Sequence, residues 1–136
     1  MTREEIIRFL NQNPVCHLAT LDNGKPRVRG MFMYRADEGG LLFHTGDFKS
    51  LAKQVANGAP VEACFNGSDV QVRVSGIAEL VDDMALKKEI VSGRPFLQPW
   101  VAQHGYGMLV VIRVTRCEAA VWTMATNFEP TVYQKI

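Results

Sequence analysis

A twelve-residue segment, positions 40–51, carries residue types that bind phosphate groups; it reads G-L-L-F-H-T-G-D-F-K-S-L. An apolar run ends in His44 and Thr45, and a glycine then leads into the predicted start of a helix that carries Lys49 and Ser50. A hydroxyl group, the free N–H groups of a helix start and a cation are thereby gathered within a few residues. Such groups together attract a phosphate. The segment therefore predicts a phosphate-bearing ligand at a sheet edge.

The same segment also has a purely structural interpretation. A strand end followed by a surface lysine gives the same pattern without a ligand. Asp47 would repel an anion unless its side chain turns away to cap the helix. His44 is interpreted as an ordinary strand histidine, because it and the other histidines, His17 and His104, lack the spacing of metal ligands. No metal site is predicted.

Polar side chains on other strands could serve the same ligand. Arg27 and Arg29 lie two residues apart and so point to one face of a strand. Arg29 beside a phosphate site is a plausible ligand residue, whereas Arg27 is more simply a solvent-exposed residue. Gln71 could pair with the donor and acceptor edge of a heterocycle, or be merely exposed. Trp122 is either core packing or an aromatic wall for a ligand or partner.

Composition narrows the class of protein. The 136 residues fit one domain, 1–136, and 47% hydrophobic with 21% charged residues is ordinary for a globular protein. A net charge of +1 gives no support for nucleic-acid binding, and no apolar run is long enough for a membrane span. A charged start and three cysteines without C-x-x-C spacing predict reduced thiols in the cytoplasm. Hydrolase and Rossmann motifs are absent.

Hydrophobic periodicity predicts three helices and six or seven strands. The helices cover about 2–13, 47–57 and 82–91, and the strands cover 15–21, 26–34, 41–45, 61–65, 70–75, 108–114 and 118–123, the last continuing or pairing with its neighbour. Residues 92–106 are predicted to be irregular. Hairpin connections indicate a closed or nearly closed antiparallel barrel, because closure removes sheet edges. The interior of such a small barrel is filled by its own side chains, so a large ligand would bind on the outside.

Several motifs together resemble one family. Residues 25–45 resemble, without gaps, the pyridoxamine 5′-phosphate oxidase-like, FMN-binding split barrels. The shared features are a hairpin that ends in G-x-P, Arg29 in the second strand, a D-E-x-G turn and the strand end His44-Thr45. The strand V-Q-V-R-V-S-G at 70–76 is similar to that family's R-Q-V-R-V-x-G strand. The resemblance covers nearly the whole chain and is strongest for the short, general-stress-protein-like members.

The resemblance implies a mainly β split barrel with small helices and six to seven mostly antiparallel strands. It further implies a homodimer with FMN in a groove between the subunits. Main-chain groups around Gly30 would face the flavin ring, Lys49 with Ser50 would hold the phosphate, and Trp122 would come from the partner subunit. The implied cofactor-binding residues are Arg29, Gly30, Met31, His44, Thr45, Lys49, Ser50, Gln71 and Trp122.

Departures from the family pattern bear on the activity. The D-F-K-S segment lacks one phosphate-binding arginine, for which Arg27 could substitute, and Tyr34 stands where the oxidase has a substrate-binding lysine. An R-x-H segment that clamps the vitamin phosphate does not occur before Ile136. We therefore expect an FMN-dependent oxidoreductase acting on a small molecule, with Arg29 stabilising the anionic reduced flavin, rather than a true pyridoxamine phosphate oxidase. No catalytic acid or base is identified.

Two other interpretations stay open at this stage. The barrel could hold FMN, haem or a deazaflavin without turnover, as a binding or stress-response protein, or it could be a ligand-free dimer. A dimer is also expected because the apolar run 108–112 and the region around Val121 and Trp122 offer more hydrophobic surface than one small barrel covers.

Overall fold

The computed structural model describes residues 1–136 and contains one eight-stranded antiparallel sheet with short helices. The strands are β1 Val15–Asp22, β2 Lys25–Phe32, β3 Arg35–Asp37, β4 Gly40–Gly46, β5 Ala59–Asn66, β6 Val70–Val81, β7 Leu109–Thr123 and β8 Tyr133–Lys135. The helices are α1 Arg3–Gln12, α2 Ser50–Gln54, α3 Met84–Gly93 and α4 Gln98–His104, with 3-10 turns at Pro95–Leu97, Tyr106–Met108 and Met124–Thr126. None of these helices is long and apolar enough to cross a lipid bilayer.

Local sequence signals explain the first three elements. The Thr2 side chain accepts a hydrogen bond from the backbone N–H of Glu5, and the Glu5 carboxylate accepts one from Thr2 in return, which starts α1. The tight turn between β1 and β2 places Asn23 and Gly24 at positive φ, as a two-residue hairpin turn requires. The predicted capping box and hairpin are therefore confirmed.

The sheet is a split barrel that does not close. Its strand order is β2-β1-β5-β6-β7-β4-β3, with β8 paired to β7, so β2 and β3 are edge strands. The predicted split barrel is confirmed, while full closure is not, and β3 and β8 bring the strands to eight. The predicted strand at 118–123 is the continuation of β7, which bulges where Arg116 adopts φ +53°.

Most of the interior is one hydrophobic core between the sheet and α1, with Phe43 and Phe65 among its fully buried side chains. A second cluster, Leu42, Leu86, Ile90 and Val111, packs α3 onto the outside of β4 and β7. Val111 is buried in this second cluster and Ile112 in the main core, and Leu109 is also buried by its own chain. The run 108–112 is therefore not surplus hydrophobic surface, contrary to the prediction.

Two helical predictions need correction. The second helix is only five residues long and begins at Ser50, so Lys49 is its N-cap residue and Asp47 lies outside it. The segment 92–106 is not irregular, because it contains a 3-10 turn and α4. Pro95 and Pro99 are compatible with these elements because each lies in a first turn, where proline needs no hydrogen-bond partner.

Candidate functional site

A groove of about 570 Å³ lies along edge strand β2, beside the end of β4 and the start of α2. Residues of the segment between α3 and β7, among them Phe96 and Trp100, form its other wall. The groove contains seven of the nine predicted cofactor-binding residues: Arg29, Gly30, Met31, His44, Thr45, Lys49 and Ser50. The sequence prediction therefore converges on one place for these seven residues.

The β2 side of the groove is open and flat. A Cβ atom placed on Gly30 would meet no atom within 4 Å, so the backbone there is open to a ligand. Because β2 has a hydrogen-bonded neighbour on one side only, its outward N–H and C=O groups are not paired with another strand. This edge can pair with the polar rim of a flat heterocycle.

Lys49 and Ser50 form the polar end of the groove. Both are exposed, and neither side chain makes a hydrogen bond or ion pair within the chain. Asp47 does not line the groove, so its carboxylate is not part of the wall beside Lys49. The ammonium group of Lys49 is thus available to an anion without a competing carboxylate at the groove wall.

Arg29 is held firmly at the groove by neutral acceptors. Its guanidinium donates to the Thr20 hydroxyl at 2.7 Å, to the Gln54 side-chain oxygen at 2.8 Å and to the Leu18 carbonyl at 3.1 Å. Burial lowers its pKa from the ordinary arginine value. Arg27 does not line the groove of its own chain, and its guanidinium lies 3.8 Å from an Asp22 carboxylate oxygen.

His44 has a charged neighbour that the sequence did not indicate. A guanidinium nitrogen of Arg94 lies 2.6 Å from His44 Nε2. The same guanidinium donates to the carbonyls of Phe32 and Met33 and covers the Phe32 ring at 3.9 Å. Burial and the positive charge of Arg94 lower the pKa of His44 to about 4. His44 is therefore a neutral imidazole at ordinary pH.

Gln71 and Trp122 lie in a different cavity of about 650 Å³, beside the C-terminal segment. They face each other across β6 and β7. The Gln71 amide donates to Asn66 at 3.0 Å, and the Trp122 indole donates to Asn127 at 3.0 Å. Within one chain these two residues do not join the groove of Lys49.

Sequence reasoning missed three features of the groove. Arg94 and Gln54 reach His44 and Arg29 across 50 and 25 residues, so no local pattern connects them. The aromatic wall of Phe96 and Trp100 lies in the segment that was predicted to be irregular. The sequence did offer one indication of Arg94, which is the single charged residue in the segment from 90 to 112.

Comparisons with known proteins agree on the fold. A family model described as pyridoxamine 5′-phosphate oxidase matches residues 2–121. No curated protein matches the sequence significantly. The structure is similar to that of a NimC/NimA family protein from Clostridium acetobutylicum, with a TM-score of 0.79 and 21% identity over 98% of this chain and 92% of that one.

Two further similar structures are those of proteins named for the ligands they bind. A general stress FMN/FAD binding protein from Xanthomonas citri has a TM-score of 0.72 and 19% identity over 89% of this chain and 87% of its own. An FAD and heme binding protein from Mycobacterium smegmatis has a TM-score of 0.66 and 12% identity over 99% and 82%, respectively. At such identities these similarities establish the split-barrel fold.

Proposed function

Because this chain belongs to the pyridoxamine 5′-phosphate oxidase family, we propose that it binds FMN in the groove along β2 and acts as an oxidoreductase on a small molecule. The observation that carries the proposal is the pairing of an unpartnered Lys49 at one end of the groove with the open backbone at Gly30. A ligand that carries both a phosphate and a flat ring needs a cation and an open backbone edge in the same groove. The FMN/FAD binding protein from Xanthomonas citri, which shares the fold, supports the choice of ligand.

The residues of the groove suit the parts of FMN in turn. Lys49 and Ser50 would hold the phosphate with a cation and a hydroxyl group. The edge of β2 at Gly30 and Met31 would pair with the polar rim of the ring, and Arg29 would keep a positive charge beside it. When bound, FMN would supply hydride or electron transfer. The chain would supply orientation, a positive field and the aromatic wall that covers the substrate.

We propose a substrate other than pyridoxamine phosphate. Tyr34 replaces the substrate-binding lysine of the family oxidase, and its hydroxyl donates to a Glu89 carboxylate oxygen at 2.8 Å. Tyr34 therefore offers no positive charge to the phosphate of a phosphorylated vitamin, where a lysine would. The apolar side chains around Phe96 and Trp100 favour an uncharged substrate instead.

We also propose a homodimer with the groove at its interface. The outer face of the β1–β2 hairpin is apolar and exposed, since Val15, Leu21, Val28 and Phe32 are between 47% and 68% exposed. A contiguous apolar face of this kind on a sheet edge is typical of a subunit contact. A second copy would also bring its own Gln71 and Trp122 within reach of the flavin, as the family resemblance implies.

Haem is a weaker candidate than a flavin. An axial ligand would have to give the lone pair of an unprotonated imidazole nitrogen to the iron, and His44 is the one histidine that lines the groove. Its Nε2 is already bonded to Arg94. A deazaflavin, which carries a similar phosphate, would use the same groove and is tested alongside FMN. The three free cysteines are in keeping with the proposed cytoplasmic location.

The proposal is tested by titrating the purified protein with FMN and following fluorescence quenching. We expect Lys49→Ala to weaken binding about tenfold, which is roughly 1.4 kcal/mol for an exposed charge-assisted contact. Lys53→Ala is the matched control, because Lys53 is exposed on the same helix but does not line the groove. Riboflavin lacks the phosphate, so its affinity should not change in Lys49→Ala. Absence of FMN binding by the unmodified chain would refute the proposed cofactor.

Two further measurements address turnover and assembly. The FMN-loaded protein is mixed with NADH or NADPH without oxygen, and failure of both to bleach the flavin band would contradict a nicotinamide-linked reductase. Light scattering at micromolar concentration gives the mass in solution. A monomer would contradict the two-subunit groove, and Val28→Lys, which charges the apolar hairpin face outside the groove, should weaken a dimer.

A further inference from the structure

Arg94 is a buried cation with no carboxylate partner. It is 7% exposed, and its guanidinium contacts two main-chain carbonyls, the Phe32 ring and the His44 imidazole. None of the four ion pairs of the chain includes it. Burying an unpaired charge is costly, so a purely structural role would be served more cheaply by an apolar side chain.

The contact with His44 determines where the imidazole proton lies. A guanidinium group has donors only and stays charged in proteins, so it cannot accept a hydrogen bond from His44. At 2.6 Å from Arg94, Nε2 must therefore offer its lone pair, and the proton of the neutral ring lies on Nδ1. Without Arg94 either nitrogen could carry it. The tautomer follows from the chemistry of arginine alone.

The Nδ1–H group of His44 is free to meet a ligand. It has no hydrogen-bond partner within the chain, and no buried side-chain nitrogen or oxygen is left without one. Nδ1 is therefore accessible to solvent, and His44 lines the groove. The ring of Phe96, with its centroid 6.4 Å away, lies beside it.

We propose that Arg94 is a positioning residue that holds His44 in the Nδ1–H tautomer, so that the groove presents its ligand with an uncharged hydrogen-bond donor. The chemical class that this donor recognises is an acceptor atom, either a carbonyl oxygen or an unprotonated ring nitrogen. The tautomer does not depend on the proposed function, whereas assignment of the acceptor to the flavin rests on it.

The charged groups around His44 maintain this state. Arg94 contacts it directly, Lys49 lines the same groove, and Tyr34 lies behind Arg94 with its ring 5.4 Å from the guanidinium carbon. No carboxylate lines the groove. Protonation of His44 would add a second positive charge and break its bond with Arg94. The donor therefore keeps its form through the neutral pH range.

The test is ¹⁵N NMR of the imidazole nitrogens in the full chain, with His44→Gln used to assign the signals. We expect protonated Nδ1 and unprotonated Nε2 at His44 from about pH 6 to 8. Arg94→Met should give a mixture of tautomers, with a pKa of His44 that rises but stays below the ordinary histidine value because the ring is still buried, and Arg94→Lys should restore the single tautomer. Arg8→Met, which removes an exposed arginine of α1 that does not line the groove, is the control and should leave His44 unchanged.

The wild-type spectrum alone can overturn the proposal, even if Arg94→Met fails to fold. A protonated Nε2 at His44, or a mixture of tautomers, would refute it. Adding FMN then identifies the source of the acceptor. A shift of the Nδ1 signal assigns it to the flavin, while quenching without a shift excludes the flavin and leaves the substrate. Failure of FMN to bind refutes the proposed cofactor but not the tautomer.

Discussion

Gln54, at the end of α2, connects that helix to Arg29 in the groove. Its side-chain oxygen accepts from the Thr20 hydroxyl at 2.6 Å and from the Arg29 guanidinium at 2.8 Å. Thr20 is 3% exposed, so its hydroxyl has little access to replacement water. We therefore predict that Gln54→Leu destabilises the fold and loosens Arg29.

The size of the effect follows from the two lost hydrogen bonds. A hydrogen bond from a charged donor contributes about 1.5–3 kcal/mol, and a neutral one contributes about 0.5–1.5 kcal/mol. Arg29 is only partly buried, so water can replace part of its loss. We expect a decrease of about 2 kcal/mol in the free energy of unfolding. With a typical urea m-value of about 2 kcal/mol per molar, the midpoint would fall by about 1 M.

Urea denaturation followed by tryptophan fluorescence measures this difference. Gln54→Glu is the matched variant, because it retains the acceptor oxygens and adds a negative charge beside Arg29. We expect it to be at least as stable as the unmodified chain, while Gln54→Leu is less stable. A change below about 0.5 kcal/mol for Gln54→Leu, the usual range for surface substitutions, would refute the reasoning.

Three further predictions follow from other parts of the chain. Burial raises the pKa of Cys16 to about 12 and that of Cys117 to about 11. A thiol reagent at pH 8 should therefore label Cys64 first and the other two cysteines only when the chain unfolds. Equal labelling rates for the three cysteines would contradict this prediction. Arg116 adopts φ +53° in the β7 bulge, so Arg116→Gly should raise the free energy of unfolding by up to about 1 kcal/mol, and a loss of stability would disprove the strain. The pKa of His44 in the folded chain is about 4, below its unfolded value of about 6.5, so the unfolded chain binds the extra proton between these values. Stability should therefore be complete above pH 6.5 and fall as the pH is lowered towards 4, by at most about 1.4 kcal/mol per pH unit, and denaturation of His44→Gln across this range should show a smaller slope.

Local chemistry decided which elements could be predicted from the sequence. The capping box of Thr2 and the turn at Asn23 are complete within a few residues, so α1 and the first hairpin were predicted correctly. The three-residue strands β3 and β8 exist only because longer strands pair with them. Their sequences carry no periodicity, since three residues are too few to alternate recognisably.

The same distinction applies to the groove. Its predicted residues are grouped in two short segments, 29–31 and 44–50, and a strand end with neighbouring polar residues is visible in one window of sequence. Arg94 and Gln54 act by reaching these segments from distant elements. Neither arginine nor glutamine carries a local signal for what its side chain will contact after folding. The residues that line the groove were therefore predictable from the sequence, whereas the residues that orient their side chains were not.

The charges of the groove together favour an anion attached to an apolar body. Lys49 and Arg29 line it, Arg94 lies directly behind His44, and no aspartate or glutamate is among the lining residues. The two arginines donate to amide, hydroxyl, imidazole and carbonyl acceptors, which satisfy their hydrogen bonds without cancelling their charge. The remaining wall of the groove is largely hydrophobic, so a small inorganic anion would leave most of that apolar surface without a contact. A ligand that joins a phosphate to a flat, weakly polar ring would use both properties at once, which is the physical argument for the flavin mononucleotide that we propose.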